Sequence, residues 1–323
     1  MKAFTKNNLT YISIAIGFIL LALLPYMGLN LYLISFIFIL MMNISLTVGW
    51  NILGGYAGYV SFGHAAFVGA GGYTTAILLS QFGWSPIFTT PLAGVVSALI
   101  ALIVGYPSLR LRGPYFSVIT LVIALAIAAL VLNLPGINTA SGIFVKPPSD
   151  SVFMSNFILY EMMAVVLFIT ILIAQIIEKS KFGLGLIAIR EDEEVASTQG
   201  VNATKVKLTA YVISGGLAGV VGGIFSWYQG VIYVNSMFSV NLSVMIVLMA
   251  ILGGTYSWKG AFIGALLVTI INEVLVLSIG SNLSQIIFGV LLVVAILYLP
   301  NGIIGLIKNS RTVDLKWKKG KGV

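Results

Sequence analysis

The chain has no cysteine, one histidine and only nine acidic residues in 323. Without cysteine there are no disulfides, no thiolate metal sites and no thiol nucleophile. A single histidine, His64, rules out a paired-histidine metal site and the H-E-x-x-H arrangement. No G-x-x-x-x-G-K-[ST] phosphate loop occurs, so the chain does not bind ATP in that way. No G-x-S-x-G nucleophile elbow occurs either, and a membrane enzyme finds no motif to rest on. Charge is scarce, at 8% of residues, and a soluble domain of this length would need far more to cover its surface.

What is present is apolar. Hydrophobic residues make up 59% of the chain and the mean hydropathy is +1.08. Repeated apolar runs of about 18 residues or more indicate membrane-spanning helices. Strict alternation, the mark of barrel strands, is missing. The composition therefore predicts an all-α, polytopic transmembrane helical bundle. Ten spans are expected, roughly at 9–27, 30–48, 62–80, 87–106, 115–132, 157–177, 209–228, 240–254, 261–279 and 283–300. Lys2 and Lys6 before the first run resemble a signal peptide, but Pro25 and Tyr26 stand where a cleavage site would be, so the run reads as a retained span. With both termini cytoplasmic, 16 of the 17 basic residues fall in inner segments and only Lys146 lies outside. The net charge of +8 is then an orientation signal, and nucleic acid is not an expected partner.

Residues 49–63 are too polar and glycine-rich for a span core, and read as a loop or an irregular entry into the third helix; such backbone is tolerated at membrane depth only inside protein or along a cavity. Glycines four apart (Gly54/Gly58, Gly215/Gly219, Gly219/Gly223 and Gly260/Gly264) predict close helix contacts, either static or sliding. Ionisable residues in spans are costly and informative. Glu161, His64 and Glu273 are the candidates, with Glu273 the best placed to line a polar path or to pair internally. So few carboxylates argue against a carrier driven by protons or sodium alone.

Ten of the 26 charged residues lie between Glu178 and Lys207. Residues 178–208 form a polar loop rich in helix formers. Glu194-Val195-Ala196-Ser197-Thr198-Gln199-Gly200 predicts a short helix, with Glu191 to Glu194 in its early turns, favoured by the helix dipole, and Gly200 supplying the left-handed residue that ends it. Such a helix is either a solvated connector or a rigid knob presented to a soluble partner.

This pattern resembles the coupling loop of ABC importer permeases, which dock on separate ATPase subunits. The match extends further. The run Ala188 to Glu193 with Gly200-Val201-Asn202, Leu111 to Phe116 with Thr120-Leu121, Gly55 to Phe67, and Leu299 to Leu306 are similar, in order and spacing, to the LivM-type permease of branched-chain amino acid importers. Departures are Asn301 where the family often has arginine, a single glycine in Thr139 to Gly142, and the absent end of the general coupling motif. The resemblance covers roughly residues 30 to 307. It implies a cytoplasmic N-terminus at 1–8, a permease domain at 9–307 and a basic cytoplasmic tail at 308–323. It also implies a bacterial or archaeal inner membrane, a sister permease, two ATPase subunits that bind the ATP and magnesium, and an extracytoplasmic binding protein. No cofactor is expected in this chain. Arg190, Glu191, Asp192, Glu194, Ala196 and Gly200 would couple to the ATPases; Tyr59, Ser61, His64 and Glu273 would be polar members of the substrate path. Relatives that carry urea or nucleosides leave the cargo open, and a carrier acting alone is the other alternative.

Overall fold

The computed structural model describes residues 14–134, 142–149, 151–298, 302, 303 and 305. The expected segments 1–8 and 308–323, Asn301 and Thr139 to Ser141 lie outside the described residues. The long helices are α1 (Ile14–Met27), α2 (Leu31–Gly54), α3 (His64–Phe82), α4 (Pro86–Ser108), α5 (Pro114–Leu132), α6 (Val152–Lys179), α9 (Ala203–Gln229), α11 (Val240–Gly253), α12 (Trp258–Ile279) and α13 (Ser281–Tyr298). Between them lie α7 (Lys181–Glu191), α8 (Glu193–Thr198) and α10 (Val234–Met237). Among the described residues, seven helices are long and apolar enough to cross a membrane: α2, α4, α5, α6, α9, α12, and α10 with α11 taken together. The remaining apolar runs carry α1, α3 and α13. The protein is a multi-pass helical membrane protein.

α2 is the central post. Every residue from Met41 to Gly54 is buried, because α6, α9, α11 and α12 surround it. A helix apolar on all sides suits that position, and several of its polar groups bond within the helix or to a neighbour. Ser45 and Thr47 donate to carbonyls one turn back, and Asn43 reaches Thr269 of α12 at 3.1 Å. The helix continues to Gly54, past the expected end at 48, so the irregular segment is only 55–63. Asn51 and Gly54, which read as loop, are accepted because neighbours enclose them and the helix satisfies their backbone. Gly58 is not on a helix at all. It has φ +76°, and its pairing with Gly54 is a feature of the turn.

The second structural block is α3, α4 and α9, pressed together by small residues. A side chain at Gly215 would sit 2.7 Å from Ala101 on α4. One at Gly222 would strike the Val68 carbonyl of α3, and one at Gly71 the Gly219 carbonyl of α9. Gly260 and Gly264 likewise bring α12 against the backbone of α11. At one end, β1 (Ile143–Phe144) pairs antiparallel with β2 (Val231–Ile232), with Ile143 opposite Ile232. The opposite end carries α7 and α8 and is called the charged end below.

The collisions at Gly71, Gly222, Gly260 and Gly264 are with main chain and cannot be relieved by a rotamer change. Gly222→Ala is expected to lower stability by about 3 kcal/mol, at the upper end of overpacking costs. Gly289→Ala, whose new methyl meets nothing within 4 Å, should be neutral or stabilising by up to about 1 kcal/mol. Thermal unfolding of the two variants in one detergent checks the contrast.

Candidate functional site

The charged segment folds as two helices joined at a corner. Ser180 closes α6 and caps α7, its Oγ accepting from the Gly183 amide at 3.1 Å. The inner face of α7 is Gly183, Gly185, Leu186 and Ile189. Asp192 then leaves the helical conformation (φ −160°, ψ 114°), and its Oδ1 accepts from the amides of Glu194 and Val195 at 2.8 and 3.0 Å. An aspartate in that role starts a new helix. The acidic run is therefore divided. Glu191 ends α7, whereas Glu193 and Glu194 open α8, so Glu191 does not sit in an early turn of the short helix as its sequence neighbours suggest.

α8 ends in a left-handed glycine. Gly200 has φ +85°; the Val201 amide donates to the Ala196 carbonyl and the Gly200 amide to that of Ser197, both at 3.1 Å, which is the Schellman closure. Ala196 is the buried contact of α8. Its other side is exposed and presents Glu194, Val195 and Gly200. Val195 is 56% exposed, and Leu184 and Ile187, sharing a face of α7, are also uncovered. The result is a small apolar surface with acidic neighbours, projecting from the charged end.

Behind it lies a junction that sequence reading did not find. Lys207, near the start of α9, is 3% exposed. Its ammonium donates to Glu193 Oε1 at 2.6 Å, to the Tyr59 hydroxyl at 2.8 Å and to the Leu109 carbonyl at 3.2 Å. Tyr59 in turn donates to Glu193 Oε2 at 2.5 Å. Arg112, between α4 and α5, lies 3.6 Å from Glu193 and 3.1 Å from Glu194. Burial pushes the Glu193 carboxyl up. The hydrogen bonds from Lys207 and Tyr59 and the charges of Lys207 and Arg112 outweigh that and hold it below the usual range. Burial, then the Glu193 hydrogen bond, raises the Tyr59 phenol, so it stays protonated and donates.

Arg190 turns inward. Its guanidinium donates to the Gly55 carbonyl at 2.6 Å and lies 4.0 Å from the Tyr256 ring centre. A side chain at Gly58 would come within 3.1 Å of Arg190 Cγ, so glycine there lets the arginine pass. Segment 55–63 also bonds α5, through Ser117 to the Val60 carbonyl at 2.7 Å and the Phe62 amide to Thr120 at 3.2 Å. Thus 55–63 is a hub joining α5, α7, α8 and α9.

Of the four polar residues expected along the path, Tyr59, Ser61 and His64 lie near one another around Phe116 and Tyr211, and Glu273 stands apart. Tyr59 belongs to the Lys207 junction. Ser61 accepts from Trp50 Nε1 through its carbonyl at 2.8 Å and from the Gly63 amide through its hydroxyl at 3.2 Å. His64 is fully buried between Phe67 and Tyr211, with Nε2 at 2.7 Å from Ser214 Oγ. Glu273 is at the other end of α2, where it accepts from Tyr32 at 2.8 Å. Among the described residues no three acidic or histidine side chains could hold a metal together.

The geometry is thus a body of helices long and apolar enough to cross a membrane, with a short capped helix projecting from one end and tied into several of them. Residues 29–296 match the family described as the permease component of branched-chain amino acid transport systems, and the chain belongs to that family. It is similar to the high-affinity branched-chain amino acid permease protein LivM of Salmonella typhimurium, at 27% identity over 87% of this chain and 71% of the relative. The LivM protein of Escherichia coli is 26% identical over the same shares. A probable LivH permease of Methanocaldococcus jannaschii is 28% identical over 81% of this chain and 85% of the relative. No solved structure matches the chain.

Lys207→Met would leave Glu193 half-sheltered without its main partner. Loss of about 3 kcal/mol is expected, the lower end of the cost of breaking a buried pair, and thermal unfolding reads it. Glu193 also sets a pH dependence. Because its folded pKa lies below the ordinary 4.5, its contribution is fully present above pH 4.5 and is lost as pH falls through the folded value. The stability gap between wild type and Glu193→Gln should therefore shrink below pH 4.5. A gap that stays constant on acidification would show that Glu193 is not held ionised by the junction.

Proposed function

We propose that the chain is one permease subunit of an ATP-driven ABC importer for branched-chain amino acids, in the cytoplasmic (inner) membrane of a bacterium or archaeon. It would form half of the translocation path, cross the membrane about ten times and keep both termini and the charged end in the cytoplasm. A sister permease would supply the other half. Two ATPase subunits would bind ATP and magnesium, and an extracytoplasmic binding protein would deliver the cargo. The chain itself is a transport subunit and not an enzyme.

The observation that carries this reading is α8, a capped helix with its outer face bare and its inner side tied to α4, α5, α9 and segment 55–63 through Glu193, Lys207 and Arg112. A surface of this kind transmits displacement. Glu191, Glu194, Val195 and Gly200 would meet the ATPases, Asp192 and Ala196 would hold α8 in shape, and Arg190 would pass motion to the end of α2. ATP binding would draw the ATPases together, move α8 and tilt the spans; hydrolysis would return them. The coupling is then a free energy supplied by the partner, which agrees with the scarcity of carboxylates in the spans. Similarity to both LivM-named and LivH-named relatives, which occur together in Methanocaldococcus jannaschii, supports a path built from two related permeases. The same machinery importing urea or nucleosides is the second reading.

Gly200 tests the coupling role. A β-branched residue in the left-handed region costs about 1–2 kcal/mol and would open the last turn of α8. Gly200→Val should cut ATP-driven uptake at least tenfold in reconstituted complex while the protein remains folded. Gly200→Asn, which tolerates that conformation, should retain most of it. Equal uptake in all three would remove the coupling role. Titrating the associated binding protein with leucine, urea and nucleosides decides the cargo.

A further inference from the structure

A groove runs between α1, α6 and α12. Its volume is about 430 Å³, and Gly17, Phe18, Leu167, Phe168 and Phe262 are among its walls. Among its described lining residues Lys259 alone is charged. α1 is fastened to α6 along its length. Phe18 packs on Phe168 at 4.7 Å, Tyr160 donates to the Leu21 carbonyl at 2.8 Å, and Tyr26 meets Phe157 edge-on at 4.9 Å. Opposite, the α12 wall is fixed independently. Trp258 Nε1 donates to Gln175 at 2.5 Å and the Trp258 amide to Glu178 at 3.3 Å, so the indole polar group faces α6 and leaves the groove apolar.

We infer that this groove is a binding site for one anionic phospholipid, an acyl chain lying between α1 and α12 and the phosphate meeting Lys259. Size admits a chain. Pockets of this volume, within the range of about 300–1,000 Å³, commonly hold one small ligand, and an acyl chain is slender enough to lie along the groove. Charge favours an anionic head. Lys259 stands exposed at the charged end, where the apolar walls finish, and a lysine beside anionic lipid is attracted to it. An empty apolar groove within a bilayer has no water to fill it, and lipid is the solvent at hand. The inference stands independently of the cargo and of the coupling role proposed for α8.

The test is native mass spectrometry of the purified protein, alone or with the subunits that accompany it, with added phosphatidylglycerol or phosphatidylcholine. Wild type is expected to retain one tightly held lipid and to prefer phosphatidylglycerol by about fivefold, the effect of one surface lysine. Gly17→Phe fills the groove and should abolish the retained lipid of both kinds. Lys259→Gln, a surface change, should keep the lipid and lose the headgroup preference. Retention by Gly17→Phe, an unchanged preference in Lys259→Gln, or a wild type that holds no lipid would each overturn the site. Loss of an accompanying permease in Gly17→Phe with no lipid in the wild type would assign the groove to a protein helix instead.

Discussion

One ammonium group fixes the charged end. Lys207 is buried, and a buried cation is tolerated only when its donors are matched. Its three acceptors come from α8, from segment 55–63 and from the residue that closes α4. Satisfying one side chain therefore sets the mutual positions of four parts of the molecule. Low dielectric strengthens each of these contacts and makes any unmatched arrangement costly. The Arg190 bond to the Gly55 carbonyl adds α7 and the end of α2 to the same assembly.

The membrane body follows a different rule. Inside a bilayer burying apolar surface against a neighbour helix brings little gain, so close approach must come from small residues and backbone contact. That rule is met by Gly71, Gly219 and Gly222, which bring α3, α4 and α9 to main-chain distance. α5 is approached this closely only at Gly63, where a side chain would come 2.7 Å from the Thr120 carbonyl; its outer face, from Tyr115 to Leu125, is largely uncovered. The body thus divides into a tight block and more loosely attached spans. Rearrangement at low cost belongs to the second group, because the first interlocks through groups that cannot give way.

Much of this was legible in the residues. Long apolar runs locate helices because length and hydropathy alone decide a span, and caps such as Gly200 declare themselves because few residues adopt that backbone. The break at Asp192 was hidden. Four consecutive acidic residues look like one dipole-compensated first turn, and only the extended conformation of Asp192 divides them. The pairing of Glu193 with Lys207 was hidden for another reason. The partners are 14 residues apart on different helices, beyond the reach of any helical spacing rule. A signal was present, since Lys207 stands just before an apolar run, downstream of a cluster of four acidic residues. Tyr59 was noticed as polar in a glycine-rich stretch, yet its partners depend on how α8 folds back, and Glu273 meets Tyr32 across 241 positions.

α8 is six residues long, whereas a free helix needs about 12–15 residues to hold together in water. Its shape is thus on loan from the body through Asp192, Gly200 and the Lys207 junction. An excised peptide of the same residues would be a coil. Whatever touches this surface meets a form whose ordering entropy was settled when the protein folded. Recognition there reads a three-dimensional contour and not a linear epitope.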